Sequence, residues 1–368
     1  MIKILFVIEN LSDGGAEMVL RNLVNNMNQS EFDITVMTTF PVDSKKYLAE
    51  GIKFKSLYKK YSKFNYTKYR VESALRLAYK FHVKEKYDIE VAYLECGATK
   101  IVAGSNSGAK KIAWVHCELK RAMQNPEEFA NQTKKYYNKY DRVACVSKKV
   151  AKDFEELFGN TPKADVVYNV VDSDKIIDKS NEKFKYLNKK TKFTIATVGR
   201  LTTPKSYLRL LKIAKRLKYD NLDFNLWIIG DGEQRQMLET YIKENDLTDS
   251  VKMFGFQENP YPFMKAADLL VCSSIYEGFS TYITEGLILG KPIVTTECSG
   301  MRELLGDSEY GIITENSEDA LYEGIKRIMT DEELLKHYEE KSIERGYSFH
   351  TDVLVNGNEQ FFKEILRD

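Results

Sequence analysis

Apolar positions in this chain come in short unbroken runs rather than in alternation. Six runs of six to eight residues mark the first half: KILFVIE (3–9), FDITVMTT (32–39), IEVAYLE (89–95), KIAWVH (111–116), RVACVS (142–147) and ADVVYN (164–169). A strand buried on both faces of a parallel sheet has this pattern. Between the runs lie stretches such as AEMVLRNLVNNM, whose Val19, Leu23 and Met27 recur at helical spacing. A second series follows at FTIATVG (193–199), FNLWIIG (224–230), VKMFGF (251–256), DLLVCSS (268–274), PIVTTE (292–297) and GIITE (311–315), with three closing helices behind it. Strands alternating with helices predict an α/β fold with two Rossmann-like, doubly wound parallel sheets.

Residues 170–192 (VVDSDKIIDKSNEKFKYLNKKTK) lose this rhythm and turn charged. The domain boundary is expected there, with an N-terminal domain at 1–175, a second at 190–345, and a C-terminal helix at 346–368 packing back on the first. A length of 368 residues agrees with two cores rather than one. In open α/β sheets ligands bind beyond the carboxyl ends of the strands. Two such sheets facing across a cleft would bring two of these edges together, and the second series carries Gly or Ser near its early strand ends.

Composition narrows the class. Hydrophobic residues at 43% and charged residues at 30% are the balance of a globular protein. Cys96, Cys117, Cys145, Cys272 and Cys298 are scattered, form no CxxC pair and sit mostly in apolar runs, which predicts reduced, buried thiols. The four histidines are far apart in sequence, so neither a metal nor another cofactor is expected. No apolar run approaches the roughly 18 residues of a membrane span. MIKILFVIEN opens on a strand without a cleavage site, so a cytoplasmic protein is expected.

Net charge is +1, but it is uneven: Lys53–Lys86 holds eleven Lys/Arg against two acids, a local +9 that leaves −8 elsewhere. In TKYRVESALRLAYKFHVKEK, Arg76, Lys80 and Lys84 form an i, i+4 stripe, with Val71, Leu75, Ala78 and Phe81 on the other side of the predicted helix. Such a helix is either an ordinary one with a solvated face or a peripheral dock on anionic lipid at the inner face of the membrane. The motifs include no nucleic-acid-binding module, so nucleic acid is not expected as a partner.

The most specific chemistry lies in SSIYEGFSTYITEGLILGKPIV. Glu277 ends a strand–loop, Gly278 and Phe279 follow, and Glu285 falls eight positions later inside the next predicted helix. Amides at a helix N-terminus bind phosphate oxygens, Gly278 lets backbone approach a ligand, and carboxylates accept hydrogen bonds from vicinal hydroxyls. Two Glu flanking a phosphate loop therefore suit a sugar and a ribose.

This segment resembles the signature of the retaining glycosyltransferases of family 4, which share the GT-B fold. The resemblance implies that Glu277 meets the transferred sugar and Glu285 the nucleotide ribose, with the amides of Phe279, Ser280 and Thr281 near the diphosphate. TVGRLTTPKSYLRLL resembles the family's Gly-Arg-Leu…Lys-Gly stretch and implies Arg200 and Lys205 on the diphosphate. IIGDGEQR resembles its Gly-Asp-Gly turn, and FGFQENP its base-contacting loop, which implies Gly255 and Phe256 near the nucleobase. SDGGAE resembles the glycine loop, with Gly14 and Gly15 toward the donor phosphates, and WVHCE implies His116 near the reaction centre. The resemblance runs colinearly from residue 1 to about 345. It implies metal-independent, retaining transfer of a hexose or N-acetylhexosamine from a nucleotide-sugar, UDP first, to a lipid-linked or surface-polysaccharide acceptor.

Three positions depart from that pattern: Ser280 where Gly is frequent, Tyr282 where Pro is common, and Ser206 where Gly follows the basic residue. Asp172-Ser173-Asp174 matches a metal-binding DxD string but sits at the linker, and Asp231 of the Gly-Asp-Gly turn is expected to cap a helix. Two other functions remain open at this stage, a sugar-nucleotide epimerase and a non-catalytic partner subunit. SDGGAEMV lacks the G-x-G-x-x-G spacing of a dinucleotide site, which disfavours a dehydrogenase.

Overall fold

The computed structural model describes residues 1–11, 14–159, 162–183, 192–277, 279–298 and 300–368. The chain forms two compact units, Met1–Val171 with Thr351–Asp368, and Asp172–His350. Residues 184–191 of the charged boundary stretch lie outside the described residues.

The first unit is built on a seven-stranded sheet of β1 (Ile2–Ile8), β2 (Phe32–Thr38), β3 (Lys53–Ser56), β4 (Ile89–Ala92), β5 (Lys110–Val115), β6 (Arg142–Cys145) and β7 (Lys163–Val166). Its order is β3-β2-β1-β4-β5-β6-β7, with every pairing parallel. Central β1 buries Ile4, Leu5, Phe6 and Val7 completely. Helices cover both faces of a parallel sheet, so its strands need no polar side, and this is why the run reads as unbroken.

The helix Thr351–Ile365 completes this unit. Its Phe362 is fully buried, with ring centroids 5.8 Å from Phe6, 6.3 Å from Phe32 and 6.2 Å from Trp114. Polar contacts fix its register: Thr351 Oγ1 donates to the Val171 carbonyl at 3.0 Å, Asn358 Nδ2 to that of Tyr168 at 3.2 Å, and Glu359 Oε1 accepts from the Asn28 amide at 2.6 Å.

The second unit holds a six-stranded parallel sheet of β8 (Phe193–Val198), β9 (Phe224–Ile229), β10 (Val251–Gly255), β11 (Leu269–Cys272), β12 (Ile293–Thr296) and β13 (Ile312–Thr314), in the order β10-β9-β8-β11-β12-β13. Leu211, Ile213, Leu226, Ile228, Leu269 and Val271 lie at the centre of its core. Of the five cysteines expected to be buried, only Cys145 and Cys272, within strands β6 and β11, are so. Among the described residues, no helix is long and apolar enough to cross a membrane.

The basic segment differs from its reading in sequence. Its start is an edge strand, β3, carrying Lys53 paired to Asp33 at 2.7 Å; charged edge strands resist pairing with foreign chains. The continuous helix expected over 67–86 is two helices, Lys63–Ala74 and Ala78–His82. Arg76 breaks them with φ +59°, and its carbonyl packs where a Cβ on Gly104 would lie 2.5 Å away. The basic stripe is therefore not one helix face: Arg76 is in the turn, Lys80 on the short helix and Lys84 beyond it. Nor is the other side a core face. Ala78 is buried, but Val71, Leu75 and Phe81 are 53%, 62% and 49% exposed. Phenol–carboxylate hydrogen bonds hold the segment instead. Tyr69 donates to Glu9 at 2.9 Å, Tyr58 to Glu72 at 2.5 Å and Tyr79 to the fully buried Glu90 at 2.7 Å.

Phe362→Ala removes a side chain wedged between three aromatic rings and is expected to destabilise the first unit by about 3–5 kcal/mol. Urea unfolding followed by Trp114 fluorescence in a Trp227→Phe background measures it. An unchanged midpoint would mean that the C-terminal helix is not part of this unit's cooperative core.

Candidate active site

The second unit gathers its polar chemistry at the carboxyl ends of β8, β10 and β11. Arg200 follows β8 and is exposed, with no side-chain hydrogen bond or ion pair among the described residues. The Gly-Asp-Gly turn explains how this loop is seated. A Cβ on Gly230 would lie 1.9 Å from the Gly199 carbonyl, and one on Gly232 2.6 Å from that of Leu201. Asp231 does not cap the following helix, whose N-cap is Gln234. It accepts instead from the Gly232 amide at 2.8 Å and pairs with Arg235 at 2.7 Å, because the turn places its carboxylate beside both donors.

Lys205 lies on the short 3-10 turn Thr203–Lys205, and its ammonium pairs with Glu277 Oε1 at 2.6 Å. Burial lowers the ammonium's proton affinity, but Glu277 outweighs it and the pKa ends above the ordinary lysine value. Glu277 Oε1 also accepts from Ser274 Oγ at 2.6 Å, with Cys272 Sγ 3.8 Å away. The two loops are stapled to each other: Ser273 Oγ donates to the Lys205 carbonyl at 2.8 Å, and the Ile275 amide to that of Pro204 at 2.7 Å. Asn316 Nδ2 braces them from behind through the carbonyls of Ile275 at 3.0 Å and Glu297 at 3.2 Å.

After Glu277 the chain enters the helix Thr281–Ile288; Gly278 lies outside the described residues. Ser280 is the N-cap and its side chain caps no amide, so the first-turn N–H groups at Thr281 remain available to an anion. The departures now have structural readings. Tyr282 replaces a rigid residue with a hydrogen bond, its OH donating to the Ala196 carbonyl of β8 at 2.9 Å. Ser206 sits at φ +54°, ψ +42°, the left-handed region where glycine fits without strain. The Phe279 ring is buried near Phe349, at 6.4 Å, so the backbone rather than the ring faces the loop's chemistry.

Glu285 projects from the same helix and accepts from Tyr261 OH at 3.3 Å. Burial pushes its carboxyl up to about 7, and the phenol's opposing pull is smaller. Gly255 ends β10 with φ +71°, and the next residue, Phe256, exposes 75% of its surface with no ring partner among the described residues.

In the first unit, Gly14 is the N-cap of the helix Gly15–Asn26; residues 12–13 of that loop lie outside the described residues. The Glu17 carboxylate folds over it, 2.2 Å from where a Gly14 Cβ would stand, whereas Gly15 is open on that side. His116 leaves the carboxyl end of β5 with its amide donating to Glu95 Oε1 at 2.5 Å. Its imidazole rests near Tyr93, 5.0 Å between centroids, and burial depresses its pKa. Asp172 caps the helix Ser173–Ser180 by accepting from the Lys175 amide at 3.0 Å, which accounts for the DxD string as a helix start. Ser274, Tyr261, Asn316 and Glu95 had no signal in the apolar pattern. Strand-end position was the one clue for Ser274 and Glu95.

Comparisons with known proteins agree with this picture. Residues 13–175 match the family model for Glycosyltransferase Family 4, and residues 178–345 that for Glycosyl transferases group 1. A Campylobacter jejuni N-acetylgalactosamine-N,N'-diacetylbacillosaminyl-diphospho-undecaprenol 4-alpha-N-acetylgalactosaminyltransferase is 34% identical over 216 residues, 58% of this chain and 57% of that protein. An uncharacterized glycosyltransferase of Haemophilus influenzae is 25% identical over 93% of this chain and 94% of its own. The chain spans about three fifths of the length of the first curated relatives it matches, 57% to 63%. Anabaena HepE, solved in complex with UDP, superposes with a TM-score of 0.78 at 17% identity, covering 99% of this chain and all of that one.

Glu285 yields a test independent of activity. A carboxyl whose pKa rises from 4.5 toward 7 on folding stabilises the protein below pH 4.5 and loses that contribution as pH climbs through 7. Glu285→Gln removes this cost, so the variant should melt higher than the wild type at pH 8, by up to about 3 kcal/mol, and equal to it near pH 4.5. Melting curves across this range decide it; a variant less stable at pH 8 would show that the carboxylate is already well solvated.

Proposed function

Since the chain belongs to the glycosyltransferases of family 4 (group 1), we propose that it transfers a hexose or N-acetylhexosamine from a UDP-sugar to a lipid-linked or surface-polysaccharide acceptor, with retention at the anomeric carbon and without a metal. The observation that carries this reading is the Lys205–Glu277 pair beside the uncapped N-terminus of Thr281–Ile288. A cation and free amides in one place suit a diphosphate, and a carboxylate next to them suits sugar hydroxyls.

The chemistry follows from these parts. The bond between the anomeric carbon and the β-phosphate oxygen breaks, and an oxocarbenium-like centre develops as the leaving diphosphate gains charge. Arg200, Lys205 and the amides of Phe279, Ser280 and Thr281 stabilise that charge. The acceptor oxygen bonds to the same face of the sugar, and its proton passes to the departing phosphate oxygen. Lys205 exchanges Glu277 for the diphosphate when the donor arrives, which frees Glu277 to orient sugar hydroxyls. Glu285 holds the ribose, Gly255 and Phe256 the base, Gly14 and Gly15 the donor phosphates, and His116 polarises groups at the reacting centre. UDP is favoured by the complex of HepE with UDP, and a diphospho-undecaprenol acceptor by the name of the Campylobacter relative.

We also propose that the first unit docks on an anionic membrane. Tyr61, Phe64, Val71, Leu75 and Phe81 expose between 49% and 77% of their surface within the +9 segment. Apolar side chains amid basic ones match an interface of anionic headgroups over acyl chains. Co-sedimentation with phosphatidylglycerol vesicles should fall for both Arg76→Glu/Lys80→Glu/Lys84→Glu and Phe64→Ala/Leu75→Ala/Phe81→Ala. Binding unchanged by either set would overturn the docking.

For the main reading, thermal stabilisation by UDP, GDP and ADP with and without EDTA is expected to favour UDP and to survive EDTA. Lys205→Ala should lower donor kcat/KM by about 10²–10³. NMR of the product's anomeric proton reports retention. No stabilisation by any nucleoside diphosphate would instead favour a non-catalytic partner subunit, and acceptor-free interconversion of UDP-sugars an epimerase.

A further inference from the structure

The geometry at the exit of β4 points to Glu95 as a positioning residue for His116, an inference that rests on His116 having the role just proposed. Beyond β5 the ladder to β6 ends at Val115. The next two amides turn to a single carboxylate oxygen: Glu95 Oε1 accepts from His116 N–H at 2.5 Å and Cys117 N–H at 3.3 Å, with Cys117 Sγ 3.5 Å away. Glu95 is 7% exposed, and a shielded carboxylate acceptor binds amides more tightly than a carbonyl does.

The same exit also takes the ring. The ring packs 5.0 Å from Tyr93 between centroids, and its Nε2 is shielded with no hydrogen-bond partner among the described residues. Trp114 lies near-parallel at 6.4 Å and limits the ring's swing. Tyr93 and Glu95, two apart on one strand exit, thus border the ring and hold the main chain of His116 respectively.

The backbone is bent to make this possible. Cys96 adopts φ +70°, ψ −97°, which a side chain strongly resists, and it leads directly into the helix Gly97–Val102. At Gly97 a Cβ would lie 1.4 Å from Glu9 Oε1 and 2.3 Å from Tyr69 OH, so a side chain there would have to displace both ends of that hydrogen bond. The strained residue thus sits directly after Glu95, where the chain turns from β4 into the helix.

The test has two arms on the full chain. Nitrogen-15 spectra of the four histidines, with His116 assigned by its absence in His116→Ala, should show a single tautomer in the wild type. Glu95→Ala should convert it to mixed, exchanging signals, and Glu95→Gln, which keeps an acceptor oxygen, should preserve it. In the second arm, UDP release from UDP-N-acetylgalactosamine is measured as a double-mutant cycle. Glu95→Ala is expected to lower kcat about 10²-fold with donor KM within about twofold, and to cost nothing further in a His116→Ala background. An unchanged His116 tautomer in Glu95→Ala, or additive losses in the cycle, overturns the inference. Full turnover by His116→Ala alone overturns the role of His116 instead, and the spectra still decide whether Glu95 sets its geometry. Should Glu95→Ala not fold, Glu95→Gln carries the test: loss of the tautomer with retained melting temperature overturns the inference.

Discussion

The ion pair between Lys205 and Glu277 is the contact on which the second unit's site depends. Neither group tolerates its surroundings alone: Lys205 is partly buried and Glu277 more so, with side-chain exposures of 29% and 11%. Removing water from either charge costs several kcal/mol unless a partner compensates. Each therefore holds the other at one place, and the loops that carry them are stapled through Ser273, Pro204 and Ile275 rather than left to close by themselves. In the proposed transfer the same pair is exchangeable. An ammonium neutralised by a carboxylate can trade it for a phosphate with no change in net pairing, and the released carboxylate then needs hydroxyl donors, which a sugar supplies.

Carboxylates used as fixed acceptors recur through the first unit. Glu9, Glu72, Glu90 and Glu95 are each held by a phenol or an amide. Glu9 and Glu95 follow the carboxyl ends of β1 and β4, Glu72 lies in the last turn of its helix and Glu90 within β4. Glu9, Glu90 and Glu95 accept from neutral donors, whereas Glu72 also meets His82 at 2.9 Å and Lys68 at 3.6 Å.

The alternation of runs was sufficient for both parallel sheets, because strands buried on two faces leave no room for polar positions. It failed where that condition fails. β3 is an edge strand with partly exposed side chains, so Lys53–Ser56 reads only as part of a basic tract. The helix break at Arg76 brings its carbonyl against Gly104, a residue 28 positions away that no local period reports. Glu277 and Glu285 were picked out through resemblance to family 4 by their spacing over one loop and helix, and Lys205 by a separate stretch after β8. Tyr261, Ser274 and Glu95 act through contacts between elements and have no period at all.

Ser206 and Glu285 share a physical cause although one is backbone and the other side chain. Both hold a local cost in the unliganded protein: a left-handed backbone without glycine, and a carboxyl whose burial resists ionisation. A fold optimised for stability alone would remove each with one substitution. Ser206 opens its helix and Glu285 lies within the helix Thr281–Ile288, both outside the apolar strands that carry the second unit's cohesion.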